Sequence, residues 1–152
     1  MIVDSFRDPK SGLGATLVVM RPEGLCFGGT RFSAASSPEE VVDLARCMEV
    51  KLHPHTPVVG GAKAGFFCEP DHPELPGLMR LAAERWSGML GKRVVLGKDM
   101  GASNRLIDGF YAQVGSVQLA PVSGLSKCAR LREFSGYRTH MTGQGVAWAV
   151  SA

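Results

Sequence analysis

Pro57-Val58-Val59-Gly60-Gly61-Ala62-Lys63-Ala64-Gly65-Phe66-Phe67-Cys68-Glu69-Pro70 sets one lysine among glycines and apolar residues, with no acid within five positions on either side. A lysine on a solvated face is usually interleaved with polar residues, whereas clustered glycines mark places where the backbone approaches something closely. Two readings fit: a Gly-rich turn whose lysine points into water, or a lysine held in apolar surroundings. The second carries chemistry, because desolvation disfavours the charged form and is how a lysine becomes a base near neutral pH. Lys63 is therefore the first candidate for a catalytic role. A phosphate loop is excluded on the letters, since such a loop closes on Gly-Lys-Ser/Thr while Ala62 precedes Lys63 and Ala64 follows it.

The chain has 152 residues, 45% of them hydrophobic, which fits one domain with a real core. Seventeen basic against fourteen acidic residues leave a formal charge of +3, too mild and too scattered for a nucleic-acid partner. Cys26, Cys47, Cys68 and Cys128 form no C-x-x-C pair and read as reduced cysteines of a cytoplasmic protein. His53, His55, Cys68 and His72 invite a metal, but His-Pro-His fits no common zinc spacing, so no metal site is expected. Neither a secretion signal nor an apolar run of 18 residues is present, and no membrane partner is expected.

Asp8-Pro9-Lys10-Ser11-Gly12 reads as a turn, and Ala15 to Met20 as a strand covered on both faces. After a second turn at Arg21-Pro22-Glu23-Gly24, Leu25 to Phe32 returns as a strand. Gly28 and Gly29 in its interior point to a bulge or to a ligand against bare backbone. Ser37-Pro38-Glu39-Glu40 starts a helix, with Glu40 placed to complete a capping box, and Pro54 limits that helix to about Leu52. Its apolar stripe is Val41, Leu44, Ala45 and Met48, and Lys51 falls on the same stripe. By itself a last-turn lysine of this kind snorkels past the core and favours the helix C-terminus. A second helix is predicted from Pro73 or Pro76 to Leu90, a short strand at Val94-Val95-Leu96, and a third helix from Ser103 to about Val114. Asp99, just past the short strand, is a site candidate because ligand-contacting residues gather at strand ends in α/β sheets. Gly115 to Thr139 reads as a connecting segment, and Met141 to Val150 as the beginning of an apolar helix. The fold class is α/β, a mixed and mostly buried sheet of four to six strands flanked by helices.

Four ordered segments now carry a resemblance: Asp8 to Leu13; Gly28-Gly29-Thr30-Arg31-Phe32; Met48 and Lys51 followed by Gly60-Gly61-Ala62-Lys63-Ala64-Gly65; and Lys98-Asp99-Met100-Gly101. The chain resembles the N-terminal, substrate-binding and dimerisation domain of the glutamate/leucine/phenylalanine/valine dehydrogenases. The resemblance implies NAD- or NADP-dependent, reversible oxidative deamination of an L-amino acid to a 2-oxo acid and ammonium, by a homo-oligomer. It implies that Lys63 is the catalytic lysine, Asp99 a proton-shuttling aspartate, and Lys51 the partner of the substrate α-carboxylate. Gly28 and Gly29 would lie along the substrate, with Phe27 and Met48 near its side chain. Residues 1–140 would form this domain and residues 141–152 the start of a linker helix towards a nucleotide-binding domain that the chain does not contain.

Some positions depart from the pattern. Leu52 follows Lys51 where the family usually has asparagine, and Phe27 stands where glutamate-specific members usually carry a lysine. Phe27 favours an apolar or uncharged substrate, whereas Gly60 to Gly65 and Asp99-Met100-Gly101 look more like the glutamate branch. No strand is followed by G-x-G-x-x-G, so no dinucleotide is expected to bind this chain alone. The competing expectation is a free-standing, non-catalytic oligomerisation or amino-acid-binding module.

Overall fold

The computed structural model describes residues 1–54 and 57–114. The readings of residues 115–152, of Cys128 and of His55 lie outside the described residues. The elements run β1 (Ile2–Arg7), β2 (Gly14–Val19), β3 (Cys26–Phe32), α1 (Pro38–Leu52), β4 (Gly60–Phe66), α2 (Leu75–Trp86), β5 (Val94–Lys98) and α3 (Asn104–Val114). They build one five-stranded mixed sheet in the order β1-β2-β4-β3-β5. β2 pairs antiparallel with β1 and β4, while β3 lies parallel to β4 and β5. None of the described helices is long and apolar enough to cross a membrane.

The lysine-bearing stretch is a strand, not a turn: β4 is central and all seven of its residues are buried. Its glycines are there for α1. A Cβ on Gly61 would come within 2.5 Å of the Glu49 backbone nitrogen, and one on Gly65 within 2.5 Å of Val41 Cγ2. The helix thus sits directly on the strand, with Val41 and Ala45 packed against Val18. Glu49 fastens the contact, its carboxylate accepting from the Gly61 amide and, at 2.6 Å, from Arg21 Nε.

Side chains alternate along a strand, so Gly61, Lys63 and Gly65 share the face under α1 while Ala62, Ala64 and Phe66 share the other. That other face holds an aromatic layer. Phe66 stacks on Phe32 at 4.9 Å between centroids and meets Trp86 and Phe110 edge-on at 6.0 and 5.5 Å. The crossovers β3-α1-β4 and β4-α2-β5 run in opposite directions across the sheet. Right-handed connections of that kind place α1 and α2 on opposite faces, as these contacts require.

Four expectations need correction. β1 was not foreseen; its outward residues Val3, Ser5 and Arg7 alternate with half-buried Ile2, Asp4 and Phe6, and it covers the edge of β2. β3 runs through Gly28 and Gly29 in unbroken register with β4, so no bulge exists there. Helix α2 ends at Trp86 rather than Leu90, because the chain turns to bring buried Leu90 into a bridge with Val94. The capping box is half-formed: Ser37 Oγ accepts from the Glu40 amide, but the Glu40 carboxylate turns away to Arg31.

Candidate active site

Lys63 lies 5% exposed in the middle of β4, opposite Val18 of β2 and Gly29 of β3. Its side chain crosses the bare backbone of Gly29 and donates to Asp99 Oδ2 at 2.6 Å. A Cβ at Gly29 would stand 3.1 Å from Asp99 Cβ and 3.4 Å from Lys63 Nζ, so glycine leaves this corridor open. Asp99 follows the last residue of β5, held by its amide to the Thr30 carbonyl at 3.1 Å and by its own carbonyl to the Ala102 amide at 3.0 Å. The strand-end position thus faces the buried lysine from two strands away.

A third group, which the sequence reading did not assign, completes the site. Arg31 is two residues beyond Gly29 on the same face of β3, and its Nε donates to the same Asp99 Oδ2 at 2.9 Å. Its Nη1 donates to Glu40 in the first turn of α1. The charges therefore alternate, Lys63, Asp99, Arg31, Glu40. Burial pushes the Asp99 carboxyl up, but the hydrogen bond and charge of Lys63, the Arg31 guanidinium and the Met100 amide outweigh it and hold the group below the ordinary carboxylate range. This pairing stabilises the fold above that ordinary range and loses its contribution as pH falls through the lowered value.

The remaining candidates stand apart from this group. Phe27 is in register with Gly61, and Met48 lies in the turn of α1 above Gly61; both are half-buried. Gly28 fits where it does because a Cβ would run into the Ala62 carbonyl. Lys51 is exposed in the last turn of α1, and its side chain makes no hydrogen bond or ion pair among the described residues. The predicted apolar stripe faces the sheet, with Val41 and Ala45 buried and Leu44 and Met48 half-buried, but Lys51 does not share it; Glu49 takes the place next to Gly61.

The strand-to-helix turn after β5 is closed at its glycine. Gly101 has φ +74°, but the Phe32 carbonyl fills the space where its Cβ would be. This turn offers a pyrophosphate no bare glycine backbone. Among the described residues, no three His, Cys, Asp or Glu side chains form a metal-binding group.

Solved structures share the fold. Hetero-hexameric glutamate dehydrogenase from Thermus thermophilus, in its leucine-bound form, superposes with a TM-score of 0.66 at 23% identity, over 76% of this chain and 30% of that one. Glutamate dehydrogenase from Peptoniphilus asaccharolyticus gives 0.66 at 21%, over 77% and 32%, and L-tryptophan dehydrogenase from Nostoc punctiforme 0.61 at 19%, over 74% and 35%. The chain thus spans about a third of the length of these proteins. Comparison with curated protein sequences gives no match. A family model for the dimerisation domain of Glu/Leu/Phe/Val dehydrogenases matches residues 18–115, most of the sheet and all three helices, and the chain belongs to that family.

Proposed function

We propose that this chain is the substrate-binding and dimerisation part of an amino-acid dehydrogenase, with Lys63 and Asp99 as its proton-transfer pair. The carrying observation is the 2.6 Å contact between a buried lysine and a strand-end aspartate across bare glycine backbone. NAD or NADP, bound outside the described residues, supplies oxidation of the α-carbon. This chain handles protons. Lys63 in its amine form takes a proton from the water that converts the imino acid to the oxo acid. Asp99, bonded to that nitrogen, accepts the proton and returns it to the departing ammonia.

Lys51 binds the substrate α-carboxylate in this reading. Exposed and without a partner among the described residues, it is free to meet an incoming anion. Phe27 and Met48, both half-buried, suit an apolar side chain, so branched-chain and aromatic amino acids are tested beside glutamate. Lys51→Met is expected to raise KM at least tenfold and change kcat less, because its ion pair is made in ground and transition states alike. A fall in kcat with KM unchanged would contradict the assignment.

Homo-oligomerisation belongs to the same proposal, and the two edges of the sheet differ in their fitness for it. At β5 the outward Leu96 amide donates to Tyr111 Oη at 2.6 Å, so α3 covers that edge. Among the described residues β1 pairs on one side only, which leaves its other edge suited to another strand. We assign the association of copies to β1. Light scattering at tens of micromolar should give at least twice the mass of 16.2 kDa; a monomer contradicts this.

A further inference from the structure

We propose that Arg31 is a positioning residue for the Lys63–Asp99 pair and that Glu40 fixes Arg31 in turn. The proposal rests on the amino-acid dehydrogenase reading above. Both cations hydrogen bond one oxygen, Asp99 Oδ2, Lys63 at 2.6 Å and Arg31 at 2.9 Å. They differ in one respect: lysine can release its proton, and arginine keeps its charge at every working pH. When Lys63 is in its amine form, a carboxylate paired with it alone would sit partly buried without a counter-ion and would itself take up a proton. The guanidinium prevents this. It keeps Asp99 ionised until Lys63 passes on the proton taken from water, and keeps its carboxylate aimed at Lys63 throughout.

Glu40 supports the role by what it gives up. Its amide is capped by Ser37 Oγ at 3.3 Å, yet its carboxylate forgoes the reciprocal bond to the cap and reaches the guanidinium. Arg31 is thereby held at both ends, between the strand-end turn and the first turn of α1, with its side chain 13% exposed. The other charged groups near the site act elsewhere or face solvent. Glu49 of α1 is committed to Arg21 and the Gly61 amide, while Lys98 of β5 and Lys51 of α1 are exposed.

The test is the pH profile of kcat/KM for the full protein, with whichever of the twenty L-amino acids it oxidises fastest. Removing a cation raises the proton affinity of either member of a coupled pair, so Arg31→Met should move the acid limb up by about one pH unit or more. Arg31→Lys, which keeps the charge and loses the fork, should lower kcat severalfold and leave the limb near its place. Glu40→Gln removes an anion and should move the limb slightly down, a sign that structural damage would not produce. A uniform fall in rate with the limb unmoved in Arg31→Met overturns the proposal. Should that variant fail to fold, the opposite-sign shift of Glu40→Gln decides, and its absence overturns the proposal equally. Lys63→Met, measured alongside, separates the two levels: if it is inactive while the Arg31 and Glu40 limbs stay put, only this inference falls. If it is near-normal, the parent reading falls and this inference with it.

Discussion

Lys63→Met in the complete enzyme is expected to lower kcat by at least the 10² to 10⁴ typical of a deleted general base, with the fold retained. Methionine fills nearly the volume of the lysine stem, and the neighbouring Gly29 leaves its path unobstructed. Removing one partner of a fully buried pair costs about 3–5 kcal/mol because the other charge is left alone. Asp99 is not left alone: it keeps Arg31 at 2.9 Å, and 28% of its side chain is exposed. The loss in stability should therefore fall well short of that range, a few degrees in Tm. Lys63→Arg is the sharper companion, keeping a cation beside Asp99 but offering no base at neutral pH. It should be as inactive as the methionine variant, with Tm close to that of the unmodified protein. Activity within tenfold of normal in both would make Lys63 a structural lysine.

Trp86→Ala is expected to cost about 3–5 kcal/mol, at the upper end for a buried aromatic. Trp86 ends α2 and is wholly buried, with its ring against Phe6, Phe66 and Phe110. It thus ties the edge strand β1, the central strand β4 and helix α3 into one layer. Its Nε1 also donates to Asp4 Oδ2 at 3.1 Å, but Asp4 keeps the Arg85 fork at 2.7 and 3.0 Å, so no orphaned acceptor adds to the loss. Domains of this size are stable by about 5–15 kcal/mol, which leaves the variant near the edge of folding. In urea the midpoint should fall with the slope unchanged. A loss below about 1 kcal/mol would show that the aromatic layer is not the centre of the core.

β2, β3, β5 and the three helices were legible in the sequence because each carries a local signal: a β-branched run, a Ser-Pro-Glu-Glu start, an apolar stripe. β4 was not. Gly60-Gly61-Ala62-Lys63-Ala64-Gly65 has the composition of a turn and lacks β-branched residues, and only the packing of α1 on Gly61 and Gly65 explains a strand built this way. The inference that glycines mark close approach was sound; the approaching group was a helix placed by residues twelve to twenty-four positions earlier. β1 was hidden by Asp4 and Arg7, whose charges interrupt its alternation. Asp4 is tolerated in β1 because Arg85 of α2, 81 positions away, meets it.

The site divides in the same way. Lys63 and Asp99 could be singled out by their neighbours in sequence and by the resemblance, but their contact could not, since it depends on β3 standing between their strands. Arg31 and Glu40 escaped notice because each had a sufficient local explanation, one as a strand residue and the other as half of a capping box. The alternation of β3 held a usable signal: Arg31 is two positions from Gly29, hence on the face that Lys63 occupies.

The central claim is that this chain contributes the proton-transfer pair of an amino-acid dehydrogenase. It is tested most directly by following reduction of NAD and of NADP by the full-length protein with each of the twenty L-amino acids. The account predicts saturable, ammonium-releasing turnover with at least one of them and its loss in Lys63→Met. No turnover with any amino acid and either nucleotide, or undiminished turnover in Lys63→Met, would contradict it.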